Sequence, residues 1–396
     1  MQEKQAPVST IARESARDLL ISLFRAALAR VHGRTCVARY LRSNRLSGTT
    51  AVIAVGKAAC AMTEGAVDVL RGDVSAALVI SPAPQAAGCL SGDDRVIHIC
   101  GNHPVPGAAS LAAGEQLLAF IRAVPADCRL LFLVSGGTSS LVEVLKTGVS
   151  LPDLQAVNRW LLGSGLEIVR MKQVRTALSR IKGGQLLGYL GGRNALALLL
   201  SDVPGDDPGV VGSGLLHPAS PVSILPTGMP AWLDRLLATV PDAETAGTGI
   251  EHCIVGDNMS ALEAIAEQAC QQGQHGMEGL QGLKGSTVEI NHEPLSGDVL
   301  AMADRIIARL RVAPAGMYIW GGETTVRLPE NSGVGGRNQQ LALAVAVRLT
   351  YDDPFVMLAA GTDGRDGNSA AAAAINDAQT FQRGTGLGLD VQCGLQ

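Results

Sequence analysis

The sequence predicts an α/β fold of two domains, with largely parallel sheets flanked by helices and a ligand cleft between them. Three observations carry this. Six short apolar runs each close on a polar, glycine-bearing loop: TAVIAV on GKAACAM, LLFLV on SGGTSSL, LALLL on SDVPGDD, HCIV on GDNMSALEAI, MYIW on GGETTV and FVMLAA on GTDGRDG. Runs of this length and continuity suit parallel strands covered on both faces. The intervals between them read as helices, and alternation of the two elements indicates parallel sheets, whose ligands gather at the carboxyl ends of the strands. The 47 glycines among 396 residues fall mostly in those loops, so they mark strand ends and not a low-complexity linker.

Taken in order, ARESARDLLISLFRAALARV spaces its apolar residues by three and four and reads as an amphipathic helix. After TAVIAV, Gly56 and Lys57 open a helix, where backbone N–H groups and an ammonium would face an anion together; an ordinary helix-start lysine has the same spacing. His103, in GNHPVPG, either contacts ligand or caps a proline turn. Ser135, Gly136, Gly137 and Ser139 follow LLFLV, where glycines let backbone approach a phosphate and hydroxyls bind it, or where a hydroxyl simply caps the next helix. Asp202, Asp206 and Asp207 follow LALLL; carboxylates there would contact Mg²⁺ or accept a proton, or they belong to a solvated Pro-Gly turn. Gly322 and Glu323 lie in GGETTV. Gly335, Gly336 and Arg337 precede the helix QLALAVAVRL, where a guanidinium fork could meet a transferring phosphoryl group. Asp363 lies on the loop closing FVMLAA. A shift toward proline and glycine between residues 218 and 249 divides the chain into domains 1–240 and 250–396.

Composition excludes several classes. A net charge of −4 with no basic stripe, and aromatics at 3%, deprive the chain of what nucleic acid binding requires. The eight cysteines form no Cys-x-x-Cys pair and read as buried small hydrophobes of a reducing compartment. No signal-peptide pattern opens the sequence and no apolar run is long enough for a membrane helix, so a cytoplasmic protein without membrane partners is expected. No G-x-G-x-x-G follows the first strand and no G-x-S-x-G elbow occurs, which speaks against a nicotinamide dehydrogenase and a serine hydrolase.

The strings VGKAACAM, GNHPVPG, LVSGGTSSL, VRTALSRIKGGQL, LSDVPGDD, GGETTV, GVGGRNQQLAL and AAGTDGRDG, in that order, resemble the bacterial glycerate 2-kinase family, whose members often carry the name hydroxypyruvate reductase. The resemblance implies ATP-dependent, Mg²⁺-requiring phosphorylation of D-glycerate at its 2-hydroxyl to give 2-phosphoglycerate. The partners it implies are a sugar acid and a nucleotide; a homo-oligomer stays open. It also implies a glycerate kinase-type domain over 1–240 and a MOFRL-type domain over 250–396. The family's essential lysine and arginine map onto Lys57 and Arg337. Asp202 and Asp363 are then candidates for proton acceptor, Asp206 and Asp363 for Mg²⁺ contact. Ser135, Gly136, Gly137, Ser139, Gly322, Glu323, Gly335 and Gly336 would hold the nucleotide's phosphates, and Lys57, His103, Arg175 and Lys182 the substrate. Two departures are visible. Lys172 replaces a neutral amide and Ala177 a histidine. The family pattern also continues past the Gly-Thr-Asp-Gly loop through a further helix and strand, so the C-terminal domain is expected to be shortened, with the alanines at 370–374 supplying no replacement. A weakly active or inactive ligand-binding paralogue is therefore the alternative expectation, and a hydroxypyruvate reductase a third.

Overall fold

The computed structural model describes residues 10–83, 92–164, 166, 168–218, 225–226, 228–239, 249–275, 287–326, 333–350 and 352–390. Contacts divide the chain into two units, Val31–Asp257, and Met1–Arg30 together with Asn258–Gln396. The chain enters through α1 (Thr10–Val31) and α2 (Gly33–Ser43).

The unit Val31–Asp257 then runs β1 (Thr50–Val55), α3 (Ala59–Leu70), β2 (Val74–Ser81), β3 (Val96–Cys100), α4 (Ala108–Ala123), β4 (Arg129–Val134), α5 (Thr138–Leu141), α6 (Leu151–Gly163), α7 (Ile168–Ala177), β5 (Ala195–Leu200), α8 (Ala231–Thr239) and β6 (Glu251–Gly256). Its six strands form one sheet in the order β3-β2-β1-β4-β5-β6, every pair parallel. β1 is buried at every position and apolar from Ala51 to Val55, so both of its faces are covered. Ile53 and Val55 point to one core with Leu117 and Ile121 of α4, while Val52 and Ala54 point to another with Val37 and Leu41 of α2 and Met62 of α3. The strand order reverses between β1 and β4, so the crevice at their carboxyl ends is where such a sheet takes ligands.

The other unit continues with α9 (Asn258–His275), β7 (Thr287–Asp298), α10 (Val299–Val312), β8 (Gly316–Thr325), α11 (Arg337–Ala346), β9 (Val356–Ala360), β10 (Ala373–Asp377) and α12 (Thr380–Gly386). β7 and β8 pair in parallel, and β9 and β10 antiparallel. Its core gathers Val299, Met302, Ile306 and Ile307 of α10 with Leu341, Ala344 and Val345 of α11.

Three expectations change. The N-terminal helix belongs with residues 258–396 and not with a domain 1–240: its Leu19 and Leu23 cluster with Ile265 and Ala269 of α9, Val288 of β7 and Met317 of β8. A second domain starting at 250 would take β6, which pairs with β5 in the first unit's sheet. The alanine run, expected to supply no replacement for elements past the loop, enters β10, where Ala373 and Ala374 pair with Ala360 and Ala359, and α12 follows. Residues 391–396 lie outside the described residues.

Candidate functional site

Four loops at the carboxyl ends of β1, β3, β4 and β5 meet at the reversal of strand order. The loop after β4 is central. The Thr138 hydroxyl donates to the carbonyls of Val55 (2.9 Å) and Ser135 (2.7 Å), which ties it to the end of β1. Gly137 takes φ +86°, a conformation natural to glycine, and a Cβ there would stand 3.2 Å from Nε2 of His103 and 3.3 Å from Cγ of Lys57. At Gly136 a Cβ would stand 2.1 Å from Oδ2 of Asp202. The side chains of Lys57, His103 and Asp202, predicted from three separate motifs, thus converge on one glycine pair, and all three are exposed. Gly101, which launches the His103 loop, packs so closely on the Leu141 carbonyl that a Cβ would sit 2.1 Å away. An ammonium, an imidazole and a carboxylate around backbone that ligand can approach can bind an anionic hydroxy acid and receive its proton.

The first loop works differently from its sequence reading. The N–H groups of Gly56, Lys57 and Ala58 donate to Ile80 O (3.1 Å), Gly136 O (2.9 Å) and Ser135 Oγ (3.1 Å), and that of Ala59 to Gly56 O (3.2 Å). The N–H groups from Gly56 to Ala59 are thus spent on protein acceptors, so Lys57 offers an anion its side chain and not its backbone N–H. For the same reason Ser135 is not a phosphate contact: it is 2% exposed and its hydroxyl accepts the Ala58 N–H. Ser139 lies on α5, in the same loop.

Lys182 is a further correction. It is 2% exposed and forms a buried ion pair with Glu143, itself 0% exposed, whose carboxylate also accepts from the Ser179 hydroxyl (2.6 Å) and the Val144 N–H (3.0 Å). A charge so enclosed binds its partner and not substrate. Glu143 was missed, although an acid inside the apolar string LVEVL signals a buried pair. Arg175 is half-buried, with Nε donating to Asn158 (3.0 Å), and burial pushes its guanidinium below its ordinary range. Asp206 sits at φ +51° in the turn after β5, its N–H donating to Val203 O (3.1 Å).

In the second unit, Arg337 starts α11 and pairs with Glu323 of β8, both exposed. The loop at 333–336 interlocks with 361–369. Asp366, 3% exposed, accepts N–H bonds from Asn338 (3.1 Å) and Gln339 (2.7 Å) and so caps α11, while Gly335 N–H donates to Asn368 (2.8 Å). A Cβ at Gly336 would meet the Asp366 backbone at 2.3 Å. Gly336 is therefore glycine for loop-on-loop packing, whereas a Cβ at Gly335 would meet nothing within 4 Å, and the helix terminus already holds a carboxylate. Gly322 is likewise required by the sheet: MYIW does not stop at a loop, β8 continues through Gly322 at φ +121°, and a Cβ would be 2.3 Å from Leu295 O. Asp363 lies beside Gly361 and Asn338: a Cβ at Gly361 would be 3.3 Å from an oxygen of Asp363 and from the Asn338 amide. Asp366 was missed as a cap because the sequence offers only its place within an acidic glycine loop.

Lys57 and Arg337 fall in different units, as do Asp206 and Asp363. Among the described residues no group of three His, Cys, Asp or Glu could hold a metal ion by itself, and no helix is long and apolar enough to cross a membrane. One or two carboxylates beside the phosphates of a bound nucleotide suffice for Mg²⁺; of the two expected for it, Asp363 is exposed and Asp206 partly buried.

Residues 19–223 match the model of a domain of unknown function, DUF4147, and residues 316–396 that of the MOFRL family. A protein of Agrobacterium vitis that carries the hydroxypyruvate reductase name is 33% identical, across 96% of this chain and 87% of that one. The D-glycerate 2-kinase of Thermotoga maritima is 30% identical, across 95% of this chain and 90% of that one. The chain belongs to the glycerate 2-kinase family. The crystal structure of a glycerate kinase from Thermotoga maritima has the same fold, with a TM-score of 0.78 at 28% identity over 96% of this chain and 92% of that one. The family's DUF4147 segment contains the Lys57, His103, Gly136–Gly137 and Asp202 cluster, and its MOFRL segment contains Arg337 and Asp363.

Proposed function

We propose that the protein transfers the γ-phosphoryl group of Mg-ATP to the 2-hydroxyl of D-glycerate, giving 2-phosphoglycerate and ADP. The observation that carries this reading is the meeting of Lys57, His103 and Asp202 around Gly136–Gly137 at the reversal of strand order, in a chain of the glycerate 2-kinase family. The Lys57 ammonium neutralises the substrate carboxylate, and His103 borders the same glycine and orients the hydroxyl acid. Asp202 accepts the hydroxyl proton as the oxygen bonds to phosphorus and the bond to the ADP oxygen breaks; the proton then leaves to solvent. Within its own unit Arg337, paired with Glu323, is the cation proposed to receive nucleotide phosphate. Mg²⁺ enters with the nucleotide and offsets phosphate charge. The work is positioning and electrostatics, which dominate phosphoryl transfer.

An ADP-release assay with D-glycerate and Mg-ATP, with the product identified as 2- or 3-phosphoglycerate by phosphorus NMR, tests the reading. Lys57→Ala is expected to lower kcat/KM by roughly 10²–10³-fold, the size of one lost charge-stabilising donor. Wild-type turnover no higher than that of the Lys57→Ala protein removes the assignment. The reductase reading finds no support at the turn after β1, where the N–H groups of Gly56, Lys57 and Ala58 are bonded to Ile80, Gly136 and Ser135; oxidation of NAD(P)H by hydroxypyruvate is the control that opposes this.

A further inference from the structure

An unusual turn behind the glycine pair has no part in the chemistry above. Gly212, Ser213 and Gly214 follow one another at φ +57°, +60° and +61°, the left-handed region that the Cβ of a serine disfavours. A residue kept there against its preference is held by its surroundings, and such residues gather where geometry serves function. A Cβ at Gly212 would lie 2.7 Å from Val134 and 3.4 Å from Thr138, which border Ser135–Gly137 on either side. The turn therefore backs the glycine loop at both of its ends.

A second turn holds the first. The N–H groups of Gly183 and Gly184 donate to the carbonyls of Ser213 (3.0 Å) and Gly214 (2.6 Å). This second turn starts at Lys182, whose ammonium is buried against Glu143. Ser179, also fully buried, joins the two: its hydroxyl donates to Glu143 (2.6 Å) and accepts the N–H groups of Ile181 and Lys182 (3.2 Å each). Backbone bonds from Arg180 N–H to Val144 O (2.8 Å) and from Lys146 N–H to Leu178 O (3.0 Å) zip the same two segments together. Glu143 is the second residue past α5, the helix that Gly137 opens. The contacts close a ring that runs from the glycine loop through Glu143, Lys182, Gly183–Gly184 and Ser213 to Gly212, and back to the glycine loop.

We propose that Glu143, with Ser179 and Lys182, is a positioning group of the site: it fixes the 182–184 turn, whose N–H groups keep 212–214 left-handed against Val134 and Thr138, so that Gly136 and Gly137 stay where Lys57, His103 and Asp202 meet. The ring rests on geometry; its service to phosphoryl transfer rests on the kinase reading. A well-packed apolar pair would serve stability as well as this buried ion pair does. It would not supply the directed bonds that admit one arrangement of the two turns.

Wild type, Ser179→Ala and Lys182→Met/Glu143→Gln test this, by hydrogen exchange with mass spectrometry and by steady-state rates taken well below each thermal midpoint. In both variants the segments around Gly183–Gly184 and 208–216 are expected to exchange at least about tenfold faster together, while β1 and β4 keep their protection. The double variant should lower kcat about tenfold with the glycerate KM within about twofold, as a displaced catalytic group does. Ser179→Ala, which keeps the ion pair, should lose less rate, and it decides the question if the double variant does not fold. Exchange unchanged at 208–216 overturns the ring whether or not the enzyme turns over. Coupled exchange in a protein whose wild type has no turnover overturns the kinase reading and keeps the ring. Coupled exchange with an unchanged kcat, or with loss confined to KM, overturns the positioning role.

Discussion

Gly136 shows how much one missing methyl group decides. A Cβ there would displace the Asp202 carboxylate and not backbone, and the carboxylate is the far end of a side chain that can swing away. Gly136→Ala is therefore expected to leave the thermal midpoint within about 2 °C of wild type while lowering kcat at least about tenfold, since a small misplacement of a catalytic group is costly in rate. Circular-dichroism melts beside steady-state kinetics check this; a stability loss that accounts for the activity loss would contradict it. Lys182 has the opposite character. Replacing it by Met leaves the Glu143 carboxylate buried without its cation, an arrangement that costs about 3–5 kcal/mol. Denaturant unfolding should show that loss for Lys182→Met and a partial return in the Lys182→Met/Glu143→Gln double variant. Sequence reading placed both residues in ligand-binding motifs, because a lysine beside two glycines looks the same whether it faces solvent or a buried acid.

At the level of elements, strand termini were legible wherever an apolar run met a glycine loop, as at β1, β4 and β5. The reading failed at β8, where Gly321 and Gly322 lie within the strand because the Asn258 side chain of α9 crowds the first and the β7 backbone at Leu295 the second. It also missed the end of β10, where Asp377 fastens α12. Burial works to raise the Asp377 carboxyl, yet the Arg383 guanidinium (2.9 Å), the Gln379 N–H (2.9 Å) and the Thr380 hydroxyl (3.1 Å) outweigh it and hold the group below its ordinary 3.8. The native chain then binds this proton more weakly than the unfolded chain. Its contribution to stability is complete above the unfolded value and is lost as pH falls through 3.8 toward the native value. Asp377→Asn should flatten the stability-against-pH curve of wild type between about pH 5 and pH 3, measured by urea unfolding at each pH.

For the whole molecule, the contacts place the candidate site residues in two α/β units, with Lys57, His103 and Asp202 in one and Arg337 and Asp363 in the other. A ligand that binds only the folded protein stabilises it by mass action. D-glycerate at a hundred times its dissociation constant should add about 2.7 kcal/mol to the unit that binds it. Differential scanning calorimetry is expected to show a glycerate-dependent upward shift in wild type that Lys57→Ala abolishes and Arg337→Ala retains. A shift that survives in Lys57→Ala would move the carboxylate contact to another residue.

The sequence by itself determined what depends on neighbours along the chain: the alternation of buried strands and helices, the strand-end loops, and the motif order that marks the family. Only the tertiary structure decided what depends on residues far apart. It brought His103, Lys57 and Asp202 to one glycine pair, gave Lys182 to Glu143, capped α11 with Asp366 and joined α1 to the segment that begins far along the chain at Asn258. The reason is physical. Periodicity and turn chemistry are written into consecutive side chains, whereas whether a charge or a glycine serves a ligand or a neighbouring backbone is set by which distant segment packs against it.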